Sequence, residues 1–159
     1  MSEVKDLKFL NDRRKWLYNK LVKIMDRVEN DDLPMIIKEV YLFGGFLRNK
    51  AEPSDIDILL IYDSDKTLRK YETGGKKGNS HWRFWEVRKA PSRLRALLKK
   101  NAERSVDINI CPSLEEFQKD LAYEMDAYLC IWSLSDRNWK SKLIYYFRKL
   151  QLAGKPLLE

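Results

Sequence analysis

The chain has 159 residues, 44% of them hydrophobic and 35% charged, with a net charge of +7. That is enough apolar material for one buried core, and no apolar run reaches the length of a membrane span. One histidine, His81, and two cysteines, Cys111 and Cys130, in no CxxC spacing exclude a His-rich or Cys-rich zinc centre within the chain. With no GxSxG elbow present, they also argue against a Ser-His-Asp triad.

The opening residues, MSEVKDLKFLNDRRK, lack the apolar stretch of a secretory signal, and both cysteines are expected reduced and packed. The expected location is cytoplasmic. Leu7, Leu10, Leu17, Leu21, Ile24 and Val28 recur at helical spacing and predict one amphipathic helix from Val4 to about Glu29. Asn30, Asp31, Asp32 and Pro34 stop it. Ile36 to Phe43 is expected to be a strand running into Gly44-Gly45. Phe46 to Ser54 begins as a short helix and turns at Glu52-Pro53-Ser54. Asp55 to Tyr62 is the second strand, apolar on both faces after its carboxylates, as suits a central position.

Residues 64–80 read as a loop with room for one helical turn. Its glycine-rich part, Thr73 to Ser80, does not satisfy GxxxxGK[ST] and no strand feeds it, so it is not a P-loop. Trp82, Phe84, Trp85 and Val87 follow, interleaved with Arg83 and Arg88. They offer either a stacking surface for bases or a third strand packed on the core, and packing is the favoured reading. His81 falls here as a loop or strand residue without a catalytic role. Leu94, Leu97, Leu98 and Ala102 mark a helix entered near Pro91-Ser92.

Ser105 to Cys111 is the next expected strand, with Val106, Ile108 and Ile110 on one face and Asp107 and Asn109 on the other. Ser113 and Glu116 form a capping box for a helix whose apolar face is Leu114, Phe117, Leu121, Met125, Tyr128 and Trp132. A last helix from about Asp136 carries Trp139, Leu143, Tyr146 and Leu150, and ends at Gly154 and Pro156. No repeat or low-complexity linker divides the chain. The expectation is a single domain over residues 1–159, its core at about 36–110 and a C-terminal helical segment at about 113–153.

Charge is unevenly spread. Between Lys66 and Arg104 stand thirteen Lys and Arg against three Glu, a net +10, which leaves −3 for the remainder. Such a tract is the footprint of a polyanion, nucleotide or nucleic acid, or else a solvated face. Lys76, Lys77 and Arg83 are its candidate nucleic-acid contacts.

The most telling residues are Asp55 and Asp57. Strand alternation puts them on one side, with Ile56, Ile58 and Leu60 on the other. Two neighbouring carboxylates repel each other and are costly to desolvate. A divalent cation relieves both costs, and Mg²⁺ is bound by one or two carboxylates together with substrate phosphates. Metal-assisted phosphoryl or nucleotidyl chemistry is therefore the leading reading, against a plain polar turn after Pro53-Ser54.

Gly44-Gly45, a spacer of nine residues, Asp55-Ile56-Asp57 and the later Asp107 together resemble the nucleotidyltransferase superfamily that includes DNA polymerase beta. GGFLR at Gly44–Arg48 looks like the opening of CCA-adding enzymes and poly(A) polymerases. Chain length is instead similar to the minimal nucleotidyltransferases, several of which work in toxin–antitoxin or phage-defence pairs.

The resemblance implies an α/β nucleotidyltransferase fold: a small mixed β-sheet flanked by an N-terminal helix and C-terminal helices. It implies two Mg²⁺ ions held by Asp55, Asp57 and Asp107, with Asp107 next to the acceptor hydroxyl. Gly44 and Gly45 would bring backbone amides to the phosphates of an NTP such as ATP, and Arg48 and Lys50 would offset the leaving pyrophosphate's charge. The implied activity is transfer of an NMP from the NTP to a hydroxyl on RNA, such as a tRNA end, or on a partner protein. The alternative is a non-catalytic module of the same fold that binds nucleic acid or a partner such as a toxin.

Overall fold

The computed structural model describes residues 11–48, 51–68, 80–100, 104–119 and 128–152, with backbone alone at 80–87 and 151–152. Helix α1 spans Asp12–Asn30 and opens on Asn11, an extended residue whose side chain accepts a hydrogen bond from the Arg14 amide. An N-cap of this kind satisfies one of the free donors of the first turn. The cap moves the start of this helix from the expected Val4 to Asp12; residues 1–10 lie outside the described part. The buried stripe is Arg14, Leu17, Tyr18, Leu21, Ile24, Met25 and Val28.

Strand β1 (Ile37–Phe43) leads directly into a short helix, α2 (Gly44–Leu47), which therefore starts at the glycine pair. Strand β2 is Ile56–Tyr62, so Asp55 stands just before it. A helical turn at 64–68 follows. Helix α3 runs through Ser80–Lys99 with Pro91 inside it. Strand β3 is Val106–Cys111, helix α4 Leu114–Lys119, strand β4 Leu129–Ser133 and helix α5 Trp139–Leu152. The sheet order is β3-β2-β1-β4, with β1 antiparallel to both neighbours and β2 parallel to β3. The small mixed sheet flanked by helices is the expected architecture.

Three expectations are corrected. Residues 82–87 belong to α3 and not to a third strand, and His81 is helical. Phe84 and Trp85 are adjacent, which breaks the period of two, and Ala90, Leu94 and Leu98 continue on one buried helical face. Tyr128 and Trp132 do not extend the helix begun at Leu114. Trp132 lies in β4, where Val40 is its partner across the ladder. β4 consequently completes the sheet from within the segment expected to be purely helical. The half-capping bond predicted at Ser113 is present, its Oγ accepting from the Glu116 amide at 3.2 Å. Cys111 and Cys130 are free thiols.

Alternation gives the sheet two unequal faces. Val40, Leu42, Ile58, Leu60, Val106 and Ile108 pack with the apolar stripes of α1, α3 and α5 into the main core. Phe43, Leu59 and Ile61 point the other way and meet Phe117 of α4 in a much smaller cluster. Asp57 and Asp107 share the strand parity of this second group and so lie on its face of the sheet. No helix among the described residues is long and apolar enough to cross a membrane.

Candidate active site

Register brings the predicted residues together. Asp57 is paired with Asp107 across the parallel ladder and with Phe43 across the antiparallel one. Neighbouring strands lie about 4.8 Å apart, so Asp57 sits between Asp107 on one side and the residue after Phe43, Gly44, on the other. Gly44 has φ +77, and a Cβ there would collide with Oδ2 of Asp57 and stand 2.9 Å from its Cγ. Only glycine supplies both the backbone angle and the clearance. The chain reversal out of β1 and the carboxylate of β2 are fitted to one another.

Electrostatics report the same cluster. Burial pushes the Asp57 carboxyl up to about 7, and the charges of Asp55 and Asp107 add to the effect. Asp107 also hydrogen-bonds it, while the positive charge of Arg48 works in the opposite direction. Without a positive counter-charge this arrangement favours the neutral form of Asp57. Asp107 itself is exposed, and Asp55 and Asp57 are half-buried.

A hard cation suits this donor set in chemistry, since all three side chains offer carboxylate oxygens. Geometry is looser: among the described residues, no group of three or more His, Cys, Asp or Glu is gathered closely enough to hold an ion as it stands. Asp57 is the member on which the charges of both others act.

Gly45 follows Gly44 in α2, and Arg48, exposed, closes that helix by donating its amide to the Gly44 carbonyl at 2.9 Å. Lys50, Lys76 and Lys77 lie outside the described residues. Arg83 is in α3, 24 residues before Asp107 in sequence.

Two residues that sequence reasoning passed over hold this region in place. Arg14 is fully buried. Its Nη2 donates to the Phe46 carbonyl at 2.7 Å, and its guanidinium lies 4.4 Å from the Phe46 ring centre and 5.1 Å from that of Phe147. Burial lowers its pKa to about 10, still well above neutrality. The Tyr146 hydroxyl donates to the Leu47 carbonyl at 3.1 Å. The carbonyl end of α2 is thus tied to α1 and α5. Arg13 binds the segment that precedes Asp55, donating through Nε to the Pro53 carbonyl at 2.9 Å. The available signal was Arg14's place on the apolar stripe between Leu10 and Leu17, where a cation must have buried partners.

The sheet, the glycine entry to α2 and the carboxylates on adjacent strands define an α/β protein with an acidic site at one end of its sheet. Residues 1–155 match the profile described as a family of unknown function (DUF6932), and the chain belongs to that family. No curated protein matches it in sequence. Among solved structures, it is similar to a protein from Sulfolobus solfataricus described as a candidate nucleotidyltransferase, with 17% identity and a TM-score of 0.44, over 86% of this chain and 92% of the other. A toxin–antitoxin crystallised with AMP-PNP gives 18% and 0.33, over 86% and 91%. A tri-AMPylated HEPN toxin of Shewanella oneidensis in complex with MNT antitoxin gives 16% and 0.33, over 89% and 92%. The functional reading stands on the carboxylates themselves.

Proposed function

We propose that the chain is a Mg²⁺-dependent nucleotidyltransferase that moves an NMP from an NTP to a hydroxyl acceptor and releases pyrophosphate. The observation that supports it is Asp57, with its charge raised in cost by Asp55 and Asp107 and its flank opened by Gly44. Such an arrangement is destabilising without a positive counter-charge, and active sites are where it is tolerated.

Asp55, Asp57 and Asp107 would hold the metal, with Asp107 serving the acceptor side. Bound Mg²⁺ would supply charge neutralisation at the phosphates and activation of the attacking oxygen. The acceptor oxygen bonds to the α-phosphorus while the bond to the bridging oxygen of the β-phosphate breaks. The hydroxyl proton passes to the exposed carboxylate of Asp107, and pyrophosphate leaves. Gly44 and Gly45 present backbone without side chains to the phosphates, and Arg48 with Lys50 offsets charge on the leaving group.

RNA, such as a tRNA end, is the favoured acceptor because of the basic tract, with a hydroxyl on a partner protein next. A second reading is a non-catalytic module binding nucleic acid or a partner. It is favoured by the unconverged placement of the carboxylates.

Incubation with each of four labelled NTPs, total RNA and cell protein tests the proposal. Label should move to a macromolecule with Mg²⁺ and not with EDTA, and Asp57→Asn should abolish transfer. Asp107→Asn should lower kcat while leaving nucleotide binding near wild type. Absence of transfer with every NTP and acceptor would favour the non-catalytic module.

A further inference from the structure

The beginning of α1 is hydrogen-bonded to backbone around the site. Asn11 donates through Nδ2 to the Ala51 carbonyl at 2.8 Å. Arg13 reaches further: besides Pro53, its Nη2 donates to the Ser54 carbonyl and, at 3.3 Å, to Oγ of Ser105. Ser54 immediately precedes Asp55, and Ser105 stands two residues before Asp107. One guanidinium therefore spans the entries to both carboxylate-bearing strands.

The ladder between β2 and β3 begins at Ile56 and Val106. Asp55 lies beyond it, and so does Ser105. The Ser105 carbonyl accepts from the Ile56 amide at 2.9 Å, and its backbone is held at φ +65. A non-glycine residue in this left-handed region persists only when its surroundings impose it. The Arg13 contact falls at this point.

Resting on the nucleotidyltransferase reading above, we infer that Arg13 is a positioning residue that fixes Asp55 relative to the ladder-paired Asp57 and Asp107. Its planar fork reaches three acceptors on two segments, which a single ammonium does not reproduce. Its role differs from that of Arg14. Arg14 is buried in the core, whereas Arg13 is half-buried and lies over the exposed Trp16 ring at 4.6 Å. The β2–β3 ladder is built from its own backbone pairs, none of which involves Arg13. What it adds is the placement of the residue outside the ladder.

Mn²⁺ binding to the full chain, read from loss of the free-ion spin-resonance signal, tests the inference. Wild-type protein should bind Mn²⁺, and Asp57→Asn should lose binding. Arg13→Ala should weaken binding about tenfold, the scale seen when groups that orient metal ligands are removed. Arg13→Lys keeps the charge and the stem over Trp16, so it should remain folded, yet it should weaken binding nearly as much. Melting temperatures of the two Arg13 variants in metal-free buffer should stay close to wild type.

Binding by Arg13→Ala within twofold of wild type, while Asp57→Asn loses it, would overturn the positioning role alone. Wild-type affinity in Arg13→Lys would mean that charge suffices and would also overturn it. A large fall in metal-free melting temperature in both variants would make Arg13 a stability residue instead. No Mn²⁺ binding by the wild-type protein would overturn the cation site and, with it, the role of Arg13.

Discussion

Gly44 and Asp57 carry the tightest steric relation at the site. In Gly44→Ala the methyl group meets Oδ2 of Asp57, and the backbone keeps a positive φ unsuited to alanine. The expected loss is roughly 1–3 kcal/mol in urea denaturation. A variant as stable as wild type would show that the two residues are not fitted as described. Asp57 also sets a pH dependence. Its carboxyl is raised from 3.8 to about 7 in the folded protein, so between those values the native state binds more protons than the unfolded one. Stability from this group is therefore present at low pH and lost as pH rises towards 7. Asn cannot ionise, so in metal-free buffer the melting-temperature advantage of Asp57→Asn over wild type should grow across that window and level off above it. An offset independent of pH would contradict the placement of Asp57 among other charges.

At the scale of elements, α1 is the brace of the site. Arg14→Ala would leave the Phe46 carbonyl without this donor and open space between the Phe46 and Phe147 rings. Its expected cost is about 2–5 kcal/mol, against under about 1 kcal/mol for Arg13→Ala, in matched urea titrations. Equal costs would contradict the division of labour between the two arginines. Much of this layer was legible from residue patterns: α1, β1, β2, β3 and α5 follow from apolar periodicity and stop signals. The shared face of Asp57 and Asp107 was legible too, because alternation along two paired strands determines it. β4 was not, since Leu129–Ser133 is a short apolar run whose period is ambiguous until β1 offers it an edge. The start of α3 is hidden in the sequence because aromatic residues favour strands locally, and Pro91 mimics a boundary where the helix continues. The stripe marks Arg14 as buried, but the partners of Arg13 and Arg14 lie far along the chain and leave no trace in composition.

For the whole molecule, strand parity puts Asp57 and Asp107 on the side of the sheet turned away from the main core. The basic tract includes α3, on which Arg88, Lys89 and Arg93 are present with Glu86 as the sole acid of that helix. If RNA is the acceptor, log affinity should fall linearly with log salt, and replacing Lys76, Lys77 and Arg83 by Ala should reduce the slope by roughly 2. An unchanged slope would move the acceptor to a partner protein.

The central claim is that Asp55, Asp57 and Asp107 together bind a metal–nucleotide. The most direct measurement is the melting temperature with Mg²⁺ and each NTP, in wild type and Asp57→Asn. At a hundredfold excess over Kd, binding to the native state stabilises by about 2.7 kcal/mol, a rise of roughly 5–10 °C for a chain of this size. Wild type should show that rise with at least one NTP and lose it with EDTA, and Asp57→Asn should not show it. No rise with any NTP at millimolar concentration, or an equal rise in Asp57→Asn, would contradict the account.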